Sequence, residues 1–304
     1  MTTALISHSD CLDHVTPDGH PESVARLKAI NATLADFDLL RIEAPLGKDA
    51  HILRAHPAAH IERIKTAGIG ALDPDTHMSA GSLNAAYRGV GAITTAVDMV
   101  IQGQAHNAFC AIRPPGHHAE LKTPMGFCLF GNIAIGAKHA LEAHGLSRVA
   151  IMDFDVHHGN GTQNLVWDDA RIFFASTHQM PLYPGSGAAH ERGAHDNVLN
   201  VPLDPDTGGA EFRAAMEAQI LPAIDAFQPE LILISAGFDA HRADPLANLN
   251  WVEEDFVWAT NALCDLADKH CAGRVVSTLE GGYNLDALAA SCALHVNTLM
   301  ERGK

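Results

Sequence analysis

Short apolar runs recur along the chain, and most of them break off into a cluster of polar residues. Thr3 to His8, Asn107 to Ile112, Arg148 to Met152, Arg171 to His178, Asn197 to Leu203, Leu231 to Asp239 and Arg274 to Leu279 have the length and β-branched content of buried strands. Leu231-Ile232-Leu233-Ile234-Ser235-Ala236 is the plainest of them. Between these runs the apolar residues fall at helical spacing over 22–37, 49–67 with an interruption at Pro57, 82–102, 132–143, 211–227, 252–271 and 285–300. Leu72-Asp73-Pro74-Asp75-Thr76 reads as a turn. Strand and helix in alternation predict an α/β fold, with a mostly parallel central sheet and helices on both faces. No Pro/Gly/Ser-rich or charged linker breaks the pattern, so residues 1–304 are expected to form a single domain.

The chemistry sits where the strands end, which is the edge at which open α/β sheets collect their ligands. Arg148–Met152 leads straight into Asp153-Phe154-Asp155-Val156-His157-His158-Gly159-Asn160-Gly161-Thr162-Gln163. Along an extended backbone, Asp153, Asp155 and His157 would face one side. Two partly buried carboxylates beside an imidazole carry a desolvation and repulsion cost that a divalent cation removes, and Asp with His is an ordinary zinc donor set. Asp239, at the end of another run, delivers a third ligand and leaves a fourth position for water. Arg113-Pro114-Pro115-Gly116-His117-His118 brings adjacent histidines to a strand end, where they suit general acid–base work. In Glu280-Gly281-Gly282-Tyr283-Asn284 the paired glycines let the backbone swing a phenol toward the same edge, placed to donate to an oxyanion. This ensemble predicts metal-assisted amide hydrolysis. Arg26, in the first turns of a helix, is expected to be a solvated side chain. Asp75 could sit at a site rim, although turns favour aspartate for backbone reasons alone.

Composition narrows the partners. Lys and Arg total 20 against 36 Asp and Glu, a net charge of -16 with no basic run, which disfavours nucleic acid and anionic membrane and favours cationic substrates. The amino terminus lacks a basic segment followed by a long apolar run, and no later window is apolar enough to span a bilayer; a soluble, cytoplasmic protein is expected. Six cysteines without a Cys-x-x-Cys pair read as reduced core residues. Twenty histidines, several beside acids and glycines, point to metal chemistry.

Arg113-Pro114-Pro115-Gly116-His117-His118, the stretch from Asp153 to Gln163, Ser235-Ala236-Gly237-Phe238-Asp239 and Glu280-Gly281-Gly282-Tyr283, with His8-Ser9-Asp10 and Gly19-His20-Pro21-Glu22 before them, resemble the zinc-dependent histone deacetylase family in its class II-like bacterial branch. The resemblance covers nearly the whole chain. It implies the arginase/deacetylase fold and removal of acetyl or other acyl groups from lysine side chains or similar amines. The implied partner is an acyl-lysine protein or peptide, or a small acylated amine, and a homo-oligomer is compatible with it. By motif position Asp155, His157 and Asp239 would hold one zinc ion, His118 would be the general base and acid, His117 would assist electrostatically and Tyr283 would polarise the carbonyl. Asp153 would orient His117, and Asn160 would orient His118. Asn160 stands where the class I pattern has aspartate, which leaves His118 without an anionic partner and predicts a less basic imidazole. The resemblance further implies potassium at Asp153, Asp155, His157, Ser176 and Thr177, and a second potassium near Val166 and Asp169. Gly126, Phe127 and Tyr183 align with a narrow tunnel for the acyl-lysine stem. Tyr183 replaces the usual phenylalanine, a mild change in an aromatic wall.

Three rivals bear on this reading. An arginase-like binuclear hydrolase would need carboxylates two residues after His157 and after Asp239, where the chain has Gly159 and His241. A polyamine deacetylase suits the acidic composition, but Leu246 at the gatekeeper-like position leans toward acyl-lysine. An inactive acyl-lysine-binding module would be expected to lack Tyr283 or a metal ligand, and none is missing.

Overall fold

In the computed structural model, which describes residues 2–303, strands form where the apolar runs are densest. They are β1 (Thr3–Ser7), β2 (Leu40–Glu43), β3 (Gly70–Ala71), β4 (His77–Met78), β5 (Asn107–Cys110), β6 (Val149–Asp153), β7 (Ile172–Gln179), β8 (Val198–Leu203), β9 (Leu231–Ala236) and β10 (Val275–Leu279). The helices are α1 (Val24–Thr33), α2 (Asp49–Ile52), α3 (Ala58–Thr66), α4 (Ser82–Ile101), α5 (Asn132–His144), α6 (Asn160–Val166), α7 (Gly209–Ala215), α8 (Leu221–Phe227), α9 (Glu253–Cys271) and α10 (Leu285–Arg302). A π turn over Met216–Ile220 joins α7 to α8, so the helix expected over 211–227 runs on without a break.

Among the described residues, eight strands form one sheet in the order β2-β1-β5-β10-β9-β6-β7-β8, and β3 and β4 pair apart from it. Every pairing in the large sheet is parallel. That follows from burial: β6 and β9 are buried along their whole length, as strands covered on both faces must be. Helices α1, α9 and α10 pack together, α4 packs on α5, and both groups contact the sheet. The expected α/β architecture is present. The sequence pattern missed β2, whose Leu40, Arg41 and Glu43 are exposed; a short charged strand blunts a sheet edge and carries little apolar signal. All six cysteines are buried and free. Among the described residues no helix is long and apolar enough to cross a membrane.

One feature of the strand order positions the site. Strands β5, β10, β9 and β6 are neighbours in the sheet, although β5 and β10 lie far apart in the chain. Their carboxyl ends open onto the loops that carry His117 and His118, Tyr283, Asp239, and Asp155 with His157.

Candidate active site

The alternation expected to bring Asp153, Asp155 and His157 onto one face is not what gathers them. Strand β6 ends at Asp153, and the backbone bends across residues 155–157. Two side chains make the bend. Asp153 Oδ1 accepts from the Asp155 N–H at 3.1 Å, and Asp155 Oδ1 accepts from the His157 N–H at 2.9 Å, turns that short acidic side chains favour. His157 Nδ1 then lies 3.1 Å from both Asp155 Oδ1 and Asp239 Oδ2.

Both aspartates are fully buried and His157 is 7% exposed. The remaining oxygens are spoken for: Asp155 Oδ2 accepts from the Gly281 N–H at 2.8 Å, and Asp239 Oδ1 accepts from the Val156 N–H at 2.9 Å. The surroundings are also too close for larger residues. A Cβ on Gly281 would stand 2.1 Å from Asp239 Oδ2, and one on Gly237 would stand 2.0 Å from Asp155 Oδ2. Burial opposes a charge on His157, yet its hydrogen bonds to the Asp155 and Asp239 carboxylates lift its pKa to about 10. That shift measures how strongly the pocket attracts positive charge. Two buried carboxylates and one imidazole nitrogen, within 4.8 Å of one another, therefore fit a divalent ion of zinc's preferences. A Cβ on Gly159 would stand 2.3 Å from Asp153 Oδ2, so the second-metal carboxylate of a binuclear site has no room there.

The two adjacent histidines have different environments. His117 Nδ1 is 3.0 Å from Asp153 Oδ2. Burial opposes its protonation, but the carboxylates of Asp155 and Asp153 outweigh burial and raise its pKa well above that of free imidazole. His118 goes the other way: burial lowers its pKa, and the positive charges of His117 and His157 lower it further. Its Nδ1 lies 2.7 Å from Asn160 Oδ1, while Asn160 Nδ2 donates to Glu120 Oε1 at 2.9 Å. A carboxylate oxygen accepts, so Glu120 fixes which end of the amide faces it. His118 Nδ1 must then carry the proton, which leaves the lone pair on Nε2.

A cavity of about 210 Å³ opens above these groups. Its inner wall is His118, His157 and Tyr283, and Asp75, Gly126, Phe127, Leu182, Tyr183 and Leu246 complete it. Every expected substrate-contact residue is thus brought together, and Leu182 joins them. Gly126 has φ +56°, and a Cβ there would meet the His118 ring at 2.4 Å. Tyr183 stands edge-on to His118 with ring centroids 5.2 Å apart. The half-buried Tyr283 keeps its proton, because burial and the Asp239 carboxylate raise its pKa well above the phenol's usual value.

Arg26 is corrected by the structure: it is fully buried instead of solvated. Its Nε donates to Gly282 O and its Nη2 to Glu280 O, each at 2.6 Å, and its guanidinium lies 4.9 Å from the Tyr283 ring centroid. Buried Glu22 pairs with Arg26 at 3.1 Å and with Arg113. Glu280 Oε2 accepts from the N–H groups of Gly116 and His117 at 2.7 and 3.1 Å, and Asp244 Oδ2 accepts from the Tyr283 N–H at 2.7 Å. The sequence reading assigned these roles to none of Glu22, Arg26, Arg113, Asp244 and Glu280. The four-residue spacing of Glu22 and Arg26 was the one available signal, since it suits a helical ion pair.

The proposed potassium positions fare unequally. Ser176 is the register partner of Asp153 in the neighbouring strand, and the Thr177 hydroxyl is buried without a hydrogen-bond partner. Near the second position, the carbonyls of Val166, Asp169 and Ile172 all accept from the Asn197 side-chain amide, and the Asp169 carboxylate pairs with Arg171. Each of those oxygens already accepts from a protein donor.

Comparison with known proteins agrees with this geometry. Residues 20–299 match the family model described as the histone deacetylase domain. The chain is 40% identical to a histone deacetylase-like amidohydrolase of Pseudomonas aeruginosa, over 91% of this chain and 74% of that protein. It is 38% identical to the chloroplastic histone deacetylase 10 of Oryza sativa, over 91% of this chain and 68% of that one. The crystal structure of the HDA15 HD domain superposes with a TM-score of 0.94 at 33% identity, covering 99% of this chain and 89% of that one.

Proposed function

The chain belongs to the histone deacetylase family, and from that premise we propose that it is a zinc-dependent amidohydrolase removing acetyl or other acyl groups from lysine side chains. The observation that carries the proposal is that His157 belongs both to the cluster with Asp155 and Asp239 and to the lining of one cavity that His118 and Tyr283 share. When bound by those three side chains, a divalent ion would supply Lewis-acid activation of water and of the amide carbonyl. The protein's own groups do the rest. His118, whose Nδ1 proton faces Asn160 and whose burial favours the neutral ring, takes the proton of the attacking water on Nε2 and returns it to the departing amine. His117, whose protonation the paired Asp153 favours, stabilises the negative charge that develops on the carbonyl oxygen, and the Tyr283 hydroxyl donates to that oxygen. Phe127, Tyr183 and Leu246 offer apolar walls to an aliphatic stem, while Asp75 at the rim offers a carboxylate to the substrate's main-chain N–H groups. Potassium at Asp153, Ser176 and Thr177, with the main chain of Asp155 and His157, would be structural. Because strands from Thr3 to Leu279 share one sheet, we read the whole as one catalytic domain.

Acetylpolyamines are the second reading, favoured by the net charge of -16. Leu246 weighs against it, since it places an apolar group where a carboxylate would select a cationic amine. The test is to strip the protein of metal, restore zinc, and compare kcat/KM over acetyl-lysine peptides, longer acyl-lysines and acetylpolyamines. The proposal expects activity only with metal and the highest kcat/KM on acyl-lysine. A preference for acetylpolyamines would replace the substrate, and turnover that survives metal removal would overturn the mechanism.

A further inference from the structure

The site described so far uses three of the chain's twenty histidines. Two others, with one aspartate, form a second convergent cluster at the far side of the sheet. Asp98 lies near the carboxyl end of α4, and His139 and His144 lie toward the carboxyl end of α5. These helices lead into β5 and β6, so their carboxyl ends sit beside the amino ends of the strands, opposite the edge that bears the cavity.

We propose that Asp98, His139 and His144 form a second transition-metal site, one that takes zinc through a carboxylate oxygen and two imidazole Nε2 atoms. Both Nε2 atoms lie 2.6 Å from the same oxygen, Asp98 Oδ1. The two rings meet edge to face at 81° with centroids 5.5 Å apart, so they approach the oxygen from different directions. A tetrahedral ion with zinc's bond lengths sets its ligand atoms roughly 3.3 Å apart, which each imidazole reaches by withdrawing less than about 1 Å. A third imidazole stands by: the His51 ring on α2 has its centroid 5.5 Å from that of the His139 ring and is a candidate for a fourth ligand.

Burial supports ligation over packing. The side chains of His139 and His144 are 8% and 14% exposed and therefore held in place, whereas that of Asp98 is 43% exposed and gives an ion a route from solvent. Among the described residues, no lysine or arginine forms an ion pair with Asp98, so its carboxylate is neutralised only by these imidazoles. His139 is buried on α5 about one turn after Ile135 and Gly136, and its Nδ1 is buried without a partner. An apolar residue would pack there at lower cost, so the cluster is what the histidine serves. The competing reading is a metal-free His–Asp–His clamp between α4 and α5.

The proposal is independent of the catalytic reading, and metal counting separates the two. Full-length wild type, His144→Ala, Asp98→Asn and Asp239→Ala are stripped with chelator, reloaded with zinc and analysed for zinc per chain by atomic emission. Cobalt absorption and the thermal midpoint with and without zinc are recorded alongside. Wild type should bind one more zinc than His144→Ala or Asp98→Asn, and the affinity of this second site should fall at least about tenfold in both, the lower range for disturbing even an outer partner of a metal. Both variants should keep wild-type deacetylation. Asp239→Ala should lose the other equivalent and retain this one. Equal stoichiometry in wild type, His144→Ala and Asp98→Asn, with the same response of the thermal midpoint to zinc, would establish the metal-free clamp and overturn the proposal. Because Asp98→Asn preserves the shape of the side chain, a folding defect in His144→Ala alone would not blur the result.

Discussion

Replacing Asn160 by aspartate should move the acidic limb of the pH–rate profile upward, but only in company with a second change. Asn160 joins two unlike neighbours: its Oδ1 meets His118 Nδ1 at 2.7 Å and its Nδ2 donates to Glu120 at 2.9 Å. A carboxylate within hydrogen-bonding reach of an imidazole raises its pKa by about 1–3 units, equivalent to roughly 1.4–4 kcal/mol. The free-base form of His118 would then be reached only at a pH that much higher, so kcat/KM should begin to fall at higher pH on acidification. Asn160→Asp alone, however, turns a donor toward Glu120 into a second carboxylate. Leaving that pair facing each other costs about 1–3 kcal/mol on the scale of an unsatisfied buried group, and it favours a proton shared between the acids. That proton would cancel much of the new charge.

The informative comparison is therefore wild type, Asn160→Asp, and Asn160→Asp with Glu120→Gln, in which the glutamine amide restores a donor to the new carboxylate. Profiles of kcat/KM on one acyl-lysine peptide report the free enzyme's base. The double variant should show the full upward displacement and the single variant a smaller one. If the double variant folds, turns over and keeps the wild-type acidic limb, then His118 is not the titrating base, or its proton does not face Asn160.

Other expectations follow from the groups behind the site. Arg26→Met should cost about 3–5 kcal/mol in denaturant unfolding, because it removes one partner from a buried ion pair and strips the Gly282 and Glu280 carbonyls of their donor; kcat should fall more than KM rises, and a loss below about 1 kcal/mol would refute the buried network. Gly126→Ala should lower kcat at least about tenfold, since a displacement of order 1 Å at a reacting group costs that and more, and the new Cβ would stand 2.4 Å from His118; unchanged kcat would show that the loop can yield. Glu22 supplies the clearest acid signature. Burial opposes its charge, but Arg113, His14 and Arg26 outweigh burial and hold its carboxyl far below the usual range. Its folded pKa is depressed, so its contribution to stability is complete above the ordinary carboxylate value of about 4.3 and disappears as pH falls toward the folded value. Unfolding free energy measured down through that window should drop in wild type, and the drop should be shallower in Glu22→Gln.

How far the sequence foretold the molecule can be judged from particular residues. Strands such as β6 and β9 were legible because parallel strands are buried on both faces and read as unbroken apolar runs. The proposed ligands were legible because they lie at or within a few residues of the ends of such runs. Asp155 and His157 do come together, but a bend held by aspartate side chains replaces the extended backbone expected to align them, and Asp153 turns to His117 instead of joining their cluster. Arg26 was misjudged because its partner carbonyl at Gly282 lies 256 residues away, and a sequence pattern of period two or 3.6 carries no information at that separation. The same limit hid Asp244 and Glu280. Strand β2 escaped because its side chains are exposed and its pairing is main chain only.

Those hidden groups answer a problem that the fold itself creates. Strands β5, β6, β9 and β10 stop pairing before the residues that matter, at Cys110, Asp153, Ala236 and Leu279, so the sheet ladder fixes none of the reacting side chains. Carboxylates take over from the ladder. Asp239 holds the main chain at Val156, Asp155 holds it at Gly281, Glu280 holds it at Gly116 and His117, and Asp244 holds it at Tyr283. In each case an acid on one loop accepts an N–H from another, and where the acid is ionised such a charge-assisted bond is about twice as strong as a neutral one; burial pushes the carboxyls of Asp244 and Glu280 up to about 7, so those two carry full charge only above that pH. Two of the four acids also face the metal position, so the oxygens that would bind an ion are aimed by the same side chains that tie the loops together. The same contacts thus order the site as a whole. Electrostatic stabilisation needs this order, because donors already in place at the developing charge have no reorganisation to undergo during the reaction.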